Sequence, residues 1–368
     1  MLIQTENQML HDIDTPALIV DANIFEQNII ACFTQFAGTQ VKIRPHLKTA
    51  KTPIVAHKLI QSGAYGVCVA KVSEAEVMAN AGVEDILITT EIIGTAKIAR
   101  LVRLVSRHPQ IQVVVDSVAG ATALSDAAIE AGVCLNILID INVGQDRCGI
   151  DPASASTFAQ HIENLPGLRL QGVQGYEGHL QHVRNAEERR QRCSEAMERL
   201  ENAIHSIRQV GIPLSIVSTG GTGTCEFCAR YSIVTEVQPG SFIFMDTDYL
   251  NTDKLPYKSA LTVLATVISA PSPQRVIVDA GMKSLSTDSG FASAKDLPGW
   301  QYHPTGDEHG ILTLQHATTI NDHLFIGDRV ELIPSHIDTT VNLHDIYHVH
   351  RNGMVEEMWA ITARGKVQ

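Results

Sequence analysis

Between residues 41 and 238, short apolar runs recur eight times, at 41–43, 65–70, 85–89, 112–116, 135–141, 168–176, 214–218 and 235–238. Most are continuous in Val, Ile and Leu rather than alternating, as parallel strands buried on both faces must be. The intervals between them carry apolar residues at three- and four-residue steps. Ser73-x-x-Glu76 reads as a capping box opening a helix that stops at Gly82, and residues 119–131 form another that stops at Gly132. Asn185-x-x-Glu188 caps the longest, which puts Cys193, Ala196, Met197, Leu200, Ala203, Ile204 and Ile207 on one face. Eight strands alternating with helices predict a (β/α)8 TIM-like barrel. A doubly wound sheet would want fewer strands and a Gly-rich first turn.

Beyond residue 253 the rhythm changes. Runs at 261–268, 276–278, 311–314, 328–333 and 346–350 have no long helical pattern between them, and residues 330–332 and 347–350 alternate at period two. The expectation is a barrel over 15–252 and an antiparallel β domain over 253–368, to which residues 1–14 add a strand.

Charge narrows the function. A formal net charge of −12 argues against nucleic acid or an anionic membrane as a partner. No apolar run is long enough to span a bilayer, and residues 1–6 lack the blocks of a signal peptide. Seven cysteines, an odd number, fit reduced thiols in a cytoplasm. Cys225-x-x-Cys228 lacks a second pair and reads as two packed thiols rather than a zinc site.

Barrels carry their chemistry at the C-terminal ends of their strands, and the unusual residues of this chain fall there. Lys48, in Arg44-Pro45-His46-Leu47-Lys48-Thr49-Ala50-Lys51, follows the first run. Flanked by cations on an apolar strand end, it is expected to lose its proton and act as a nucleophile toward an aldehyde cofactor. Asn142–Gly149, with Arg147, follows the fifth run. Tyr176–His182 follows the sixth. Thr219-Gly220-Gly221-Thr222-Gly223-Thr224 follows the seventh, where backbone N–H groups and hydroxyls can converge on a phosphate. In the second domain, an extended strand would put His336 and Asp338 on one side, ready to share one ion. An imidazole and a carboxylate favour Mn2+ or Mg2+, with Zn2+ remaining an option.

Arg-Pro-His-x-Lys-Thr-x-Lys resembles the cofactor-lysine segment of the alanine racemase-type pyridoxal 5'-phosphate (PLP) enzymes, in the D-threonine aldolase and D-serine dehydratase branch. The resemblance runs through five segments, from Asp14-Thr15-Pro16 to about Asp345. It implies that PLP is held by Lys48 rather than Lys51. Arg147 would approach the phenolic oxygen, Tyr176 would meet the pyridine ring, and Thr219–Thr224 would receive the phosphate. It gives His182 the acid/base role, with His179 the second choice, and gives the metal to His336 and Asp338. His-x-Asp at that place resembles the aldolase members, His-x-Cys the dehydratases.

The implied activity is metal-activated cleavage of a D-β-hydroxy-α-amino acid, of the D-threonine or 3-hydroxy-D-aspartate type, to glycine and an aldehyde or 2-oxo acid. The alternatives are a D-serine or 3-hydroxy-D-aspartate dehydratase, and a non-catalytic PLP carrier. By the same analogy the protein is a homodimer. His344, His348, His350 and the segment 279–283 receive no role.

Overall fold

The computed structural model describes residues 2–3, 8–315 and 323–368. All eight apolar runs become strands of one parallel sheet: Lys42–Ile43, Val67–Val69, Ile86–Ile88, Gln112–Val115, Leu135–Asp140, Leu168–Gly175, Ile216–Thr219 and Glu236–Val237. The last pairs with the first, and the first meets the second through the bridge between His46 and Cys68. Leu47 N donates to Cys68 O at 2.8 Å and Cys68 N to Pro45 O at 2.8 Å, so the sheet closes. Helices wrap it. Asn185 accepts from the N–H groups of Glu187 and Glu188 to start Ala186–Gln209, as its spacing predicts.

One cap is built differently. The helix Val72–Asn80 starts ahead of Ser73, and Glu74, not Glu76, reaches back to the N–H groups of Ala70 and Lys71. Glu76 instead pairs with Arg100 on the neighbouring helix.

The barrel interior is part apolar, part polar. Cys68, Leu87, Val114 and Leu138 pack together in it. A hydrogen-bonded chain then crosses from floor to rim. Arg44, fully buried, donates Nε to Glu236 at 2.9 Å and Nη1 to Asp85. Ser218 Oγ donates to Glu236 at 2.7 Å, Gln238 Nε2 to Ser218 at 2.7 Å and to Gln174 at 3.1 Å, and Gln174 Nε2 to Asp140 at 2.9 Å. Gly66 is glycine for this reason: a Cβ there would stand 2.6 Å from Arg44 Nη1.

The second domain is organised around Leu261–Ser272, which pairs with Arg275–Val278 on one edge and Arg329–Ile333 on the other. Continuing through Gly310–Leu314, Trp300–Pro304 and Ser293–Ala294, these strands close a small antiparallel barrel. The strand Ala17–Asp21 belongs to this sheet. It runs antiparallel to Leu261–Leu264 and parallel to Tyr347–His350. An expectation that starts the first domain at residue 15 therefore puts this strand with the wrong sheet: continuous apolar character marks burial on both faces but not which sheet a strand joins. Of the leader, Leu2–Ile3 and Gln8–Met9 pair with Met354–Ala360, while residues 4–7 lie outside the described residues.

The two domains meet over an aromatic cluster. Phe25 packs on Phe244 and Trp359, with ring centroids 5.9 and 5.5 Å apart, and Tyr347 lies 5.4 Å from Phe244. Tyr347 Oη donates to Ala50 O at 2.8 Å, and Ala363 N to Lys51 O at 2.9 Å, so the second domain holds the lysine-bearing segment directly. Among the described residues, no helix is long and apolar enough to cross a membrane.

Candidate active site

The segment 44–51 sends its charges in different directions. Arg44 turns into the barrel. His46 is held neutral by burial, then by the Lys48 charge. Its Nδ1 accepts the Lys48 N–H at 3.3 Å, which leaves Nε2–H to face Thr89 Oγ1 at 3.0 Å. Lys51 takes a left-handed φ of 51° and ends 2.8 Å from Glu74 Oε1. Lys48 lines a cavity of about 260 Å3 at the mouth of the barrel, with His46, Arg147, Tyr176, Thr222 and Ser241 around it.

Its protonation differs from expectation. Asp338 Oδ2 lies 3.4 Å from Lys48 Nζ and raises the lysine pKa against the opposing effect of burial. The cation expected to depress it, Arg44, is turned away and neutralised by Glu236 and Asp85.

The glycine loop is also built differently from the simple cradle. Gly220 N donates to Glu177 Oε2 at 3.4 Å, Gly221 N to Thr224 Oγ1 at 3.1 Å and Gly223 N to Gln181 Oε1 at 2.8 Å. Thr219 and Thr224 hydroxyls both donate to Glu177. Three of the N–H groups that could have met an anion are thus spent on shaping the loop. Thr222 Oγ1 accepts from Gly240 N and Phe242 N, each at 3.2 Å, which draws the 240–242 turn against the loop. Gly221, Thr222, Gly240 and Ser241 are what face the cavity. Glu177 and Gln181 lay inside the segment 176–182, but nothing in their spacing marked them as the scaffold of the next loop.

Across the cavity Arg147 stands 5.8 Å from the centre of the Tyr176 ring. Burial raises the Tyr176 phenol further above its ordinary range. The two histidines of 176–182 separate. His179 faces Gly144, on the side of the Asn142–Gly149 loop. His182 lies 4.3 Å from the Tyr249 ring, its Nδ1 2.9 Å from Asp248 Oδ2. That bond directs the proton to Nδ1 and leaves Nε2 with a free lone pair. Partial burial lowers the His182 pKa although Asp248 opposes it, which favours the neutral ring.

His336 and Asp338 do not lie on an extended strand. His336 caps a short helix, Ile337–Val341, and Asp338 sits in its first turn. Period-two alternation was the wrong premise, because the chain turns at Pro334-Ser335. The two residues still converge. His336 Nδ1 meets Asp288 Oδ2 at 2.6 Å, which leaves Nε2 as an acceptor. Despite partial burial, hydrogen bonds from Ser286, His336 and Thr339 pull Asp288 down to about 2. Burial opposes the charged form of His336, but Asp338 and Asp288 raise its pKa. Asp338 is half-buried, and its Oδ1 is shut off from solvent without a well-formed hydrogen bond.

A solvent-excluded carboxylate oxygen without a well-formed hydrogen bond, beside an imidazole whose other nitrogen is held by a carboxylate, could hold a divalent cation. Asp288 and Asp248 were invisible in the sequence, since each acts across a distance of 48 or more residues.

Cys225 and Cys228 are buried, with Cys228 Sγ 3.5 Å from Cys193 Sγ, and all seven cysteines are free. No zinc ligand set forms around them among the described residues.

Residues 20–248 match the family described as "Alanine racemase, N-terminal domain", and residues 260–350 match a serine dehydratase domain. The chain is 40% identical over 357 residues to D-threonine aldolase of an Arthrobacter species, covering 96% of this chain and 93% of that protein. It is 35% identical over 366 residues to 3-hydroxy-D-aspartate aldolase of Paracoccus denitrificans strain Pd 1222, covering 96% and 93%. The crystal structure of D-threonine aldolase from Filomicrobium marinum superposes with a TM-score of 0.95 at 37% identity, covering 99% of both chains. With the lysine at the barrel mouth and the second domain closing on it, the chain belongs to the alanine racemase-type family of PLP enzymes, in its D-threonine aldolase and D-serine dehydratase branch.

Proposed function

We propose that this protein is a divalent-metal-activated, PLP-dependent aldolase that cleaves D-β-hydroxy-α-amino acids to glycine and an aldehyde or 2-oxo acid. The observation that carries this is Asp338 of the second domain standing 3.4 Å from Lys48 of the barrel, with His336 and His182 within reach of the same charges.

Lys48 presents its amine to the cavity and is the residue to hold PLP; Arg147 and Tyr176 flank it, and Thr222 with Ser241 offers the anion site. PLP, when bound, supplies the electron sink that Cα–Cβ cleavage requires. His336 Nε2 and Asp338 would hold the cation, with Mn2+ or Mg2+ matching their nitrogen and oxygen donors. Such an ion supplies Lewis-acid stabilisation of the substrate's β-oxygen.

The remaining work falls to the chain itself. His182, with Nδ1 fixed on Asp248, takes the β-hydroxyl proton at Nε2. Asp288 keeps the His336 lone pair directed at the site. The 240–242 turn, held on Thr222, positions the phosphate end.

Incubation with D-threonine and 3-hydroxy-D-aspartate tests the assignment. Glycine with the matching carbonyl product is expected, abolished by EDTA and restored by Mn2+. Ammonia with no glycine would make the protein a dehydratase, and EDTA-resistant cleavage would remove the metal from the reaction. We further infer a homodimer, supported by the family resemblance, which sedimentation at micromolar concentration checks. Seven free cysteines suit a reducing compartment, and we place the protein in the cytoplasm.

A further inference from the structure

Lys48 is the wall between two cavities. The first, described above, holds the groups suited to the cofactor. The second, about 580 Å3, opens on the other side of Lys48 and takes Asp338 as its own wall. A substrate whose reacting carbon lies near Lys48 and whose hydroxyl lies near Asp338 has its remaining substituent directed into this second space.

The charge of that space is unusual for a chain of net −12. Its two acids are already paired, Glu74 with Lys51 at 2.8 Å and Asp338 with Lys48 at 3.4 Å. Lys71 and Lys366 also line it, and neither has an acidic partner among the described residues. Lys366 is not on a loose tail. Ala363 N donates to Lys51 O at 2.9 Å, Gly365 N to Asn342 Oδ1 at 2.8 Å, and Gln368 O accepts from Ser73 N and Oγ at 3.0 and 2.5 Å. The last residues are strapped between barrel and β domain, with Lys366 between their anchors. Lys71 is fixed from the other side, where Glu74 accepts its N–H. Two cations carried on anchored backbone, with no acidic partner among the described residues, attract an anion to this concave site.

We propose that the second cavity is the subsite for the substrate's side chain, and that Lys71 and Lys366 make it select a second carboxylate. Dicarboxylic β-hydroxy-D-amino acids are then preferred over D-threonine. The proposal rests on the aldolase reading above and names the substrate class within it.

The test compares kcat/KM for 3-hydroxy-D-aspartate and for D-threonine in the Mn2+-loaded holoenzyme and in Lys71→Ala, Lys366→Ala and the double variant. The wild type should favour the dicarboxylate. That preference should drop about tenfold in the double variant, through KM, while D-threonine changes less than twofold. Added NaCl should raise KM for the dicarboxylate only, and Lys366→Glu should exceed Lys366→Ala in effect. Both lysines are away from the core, and an unchanged D-threonine rate certifies the fold of each variant. Cleavage of both substrates with an unchanged preference, or an equal loss on both, overturns the subsite and leaves the aldolase intact. Absence of glycine from both substrates in the wild type removes the aldolase reading and the subsite with it.

Discussion

The floor and the mouth of the barrel are both polar, and they are polar in opposite ways. On the floor, Arg44, Glu236, Ser218, Gln238 and Gln174 are each buried and spend nearly all their charges and hydrogen bonds on one another and on Asp85, with Arg44 Nη2 left over. At the mouth, four residues further along the same segment, Lys48 faces a carboxylate whose second oxygen lacks a well-formed hydrogen bond. A nearby histidine keeps one nitrogen free. A closed network fixes a shape; an open one leaves valence for a ligand. Changes at the mouth should therefore cost activity without stability, and changes on the floor the reverse.

The largest effect is expected at Lys48. Lys48→Ala should abolish turnover, lowering kcat by roughly a thousandfold or more, and remove the visible absorbance of the bound cofactor, with the unfolding midpoint little moved. Lys51→Ala should leave that absorbance in place; its loss there would shift the reactive residue one turn along the segment. Asp338→Ala comes next, with a loss on the order of a thousandfold in kcat and the cofactor spectrum retained. Parental turnover by that variant after EDTA would place the mouth's open carboxylate outside the chemistry. His182→Gln should cost about a hundredfold or more, and a pH–rate profile that kept its acidic limb would count against His182 as the base.

The floor supplies the contrary test. Glu236→Gln leaves Arg44 with one of its two carboxylate partners. Breaking such a buried pair costs about 3–5 kcal/mol of stability, read from urea unfolding, while kcat of the folded fraction should hold. A drop in kcat with unchanged stability would erase the distinction between the two regions.

The smallest effect is at the rim, where the floor network ends on Asp140. Burial, first of all, raises its carboxyl to about 8, against about 3.9 for an unfolded chain. The folded state keeps a proton that the unfolded chain has released, so this contribution is complete below about pH 4. It is lost as pH rises through about 8. Asp140→Asn should flatten the fall in unfolding midpoint between pH 5 and 8, and an identical slope would assign that fall to other groups.

Much of this was legible in residue order. The eight runs, most of them continuous in apolar residues, each became a barrel strand, because burial on both faces leaves its mark on composition. That Lys48, Arg147, Tyr176 and Thr222 gather at one mouth was legible because the C-terminal ends of a barrel's strands all open on one side. What stayed hidden was partnership at long range. Arg44 looked like a neighbour that would unsettle Lys48, yet the acids that draw it into the barrel, Asp85 and Glu236, lie far along the chain. Asp288 and Asp248 orient His336 and His182 from distant segments, and a lone acidic residue on a loop carries no mark of what it will face. Asp338 of the His-x-Asp pair stands beside Lys48, but on a five-residue helix where a strand was expected.

The bonds from Tyr347 to Ala50 and from Ala363 to Lys51 make the lysine segment common property of both domains. Chemistry at this seam is therefore modular. A chimera carrying a relative's β domain would keep the barrel's half of the site and exchange the carboxylate that faces Lys48, the histidine beside it and the strap that carries Lys366. Two grafted junctions, after Asp21 and near residue 253, would then retool the reaction and its substrate range together, with the eight-stranded half untouched.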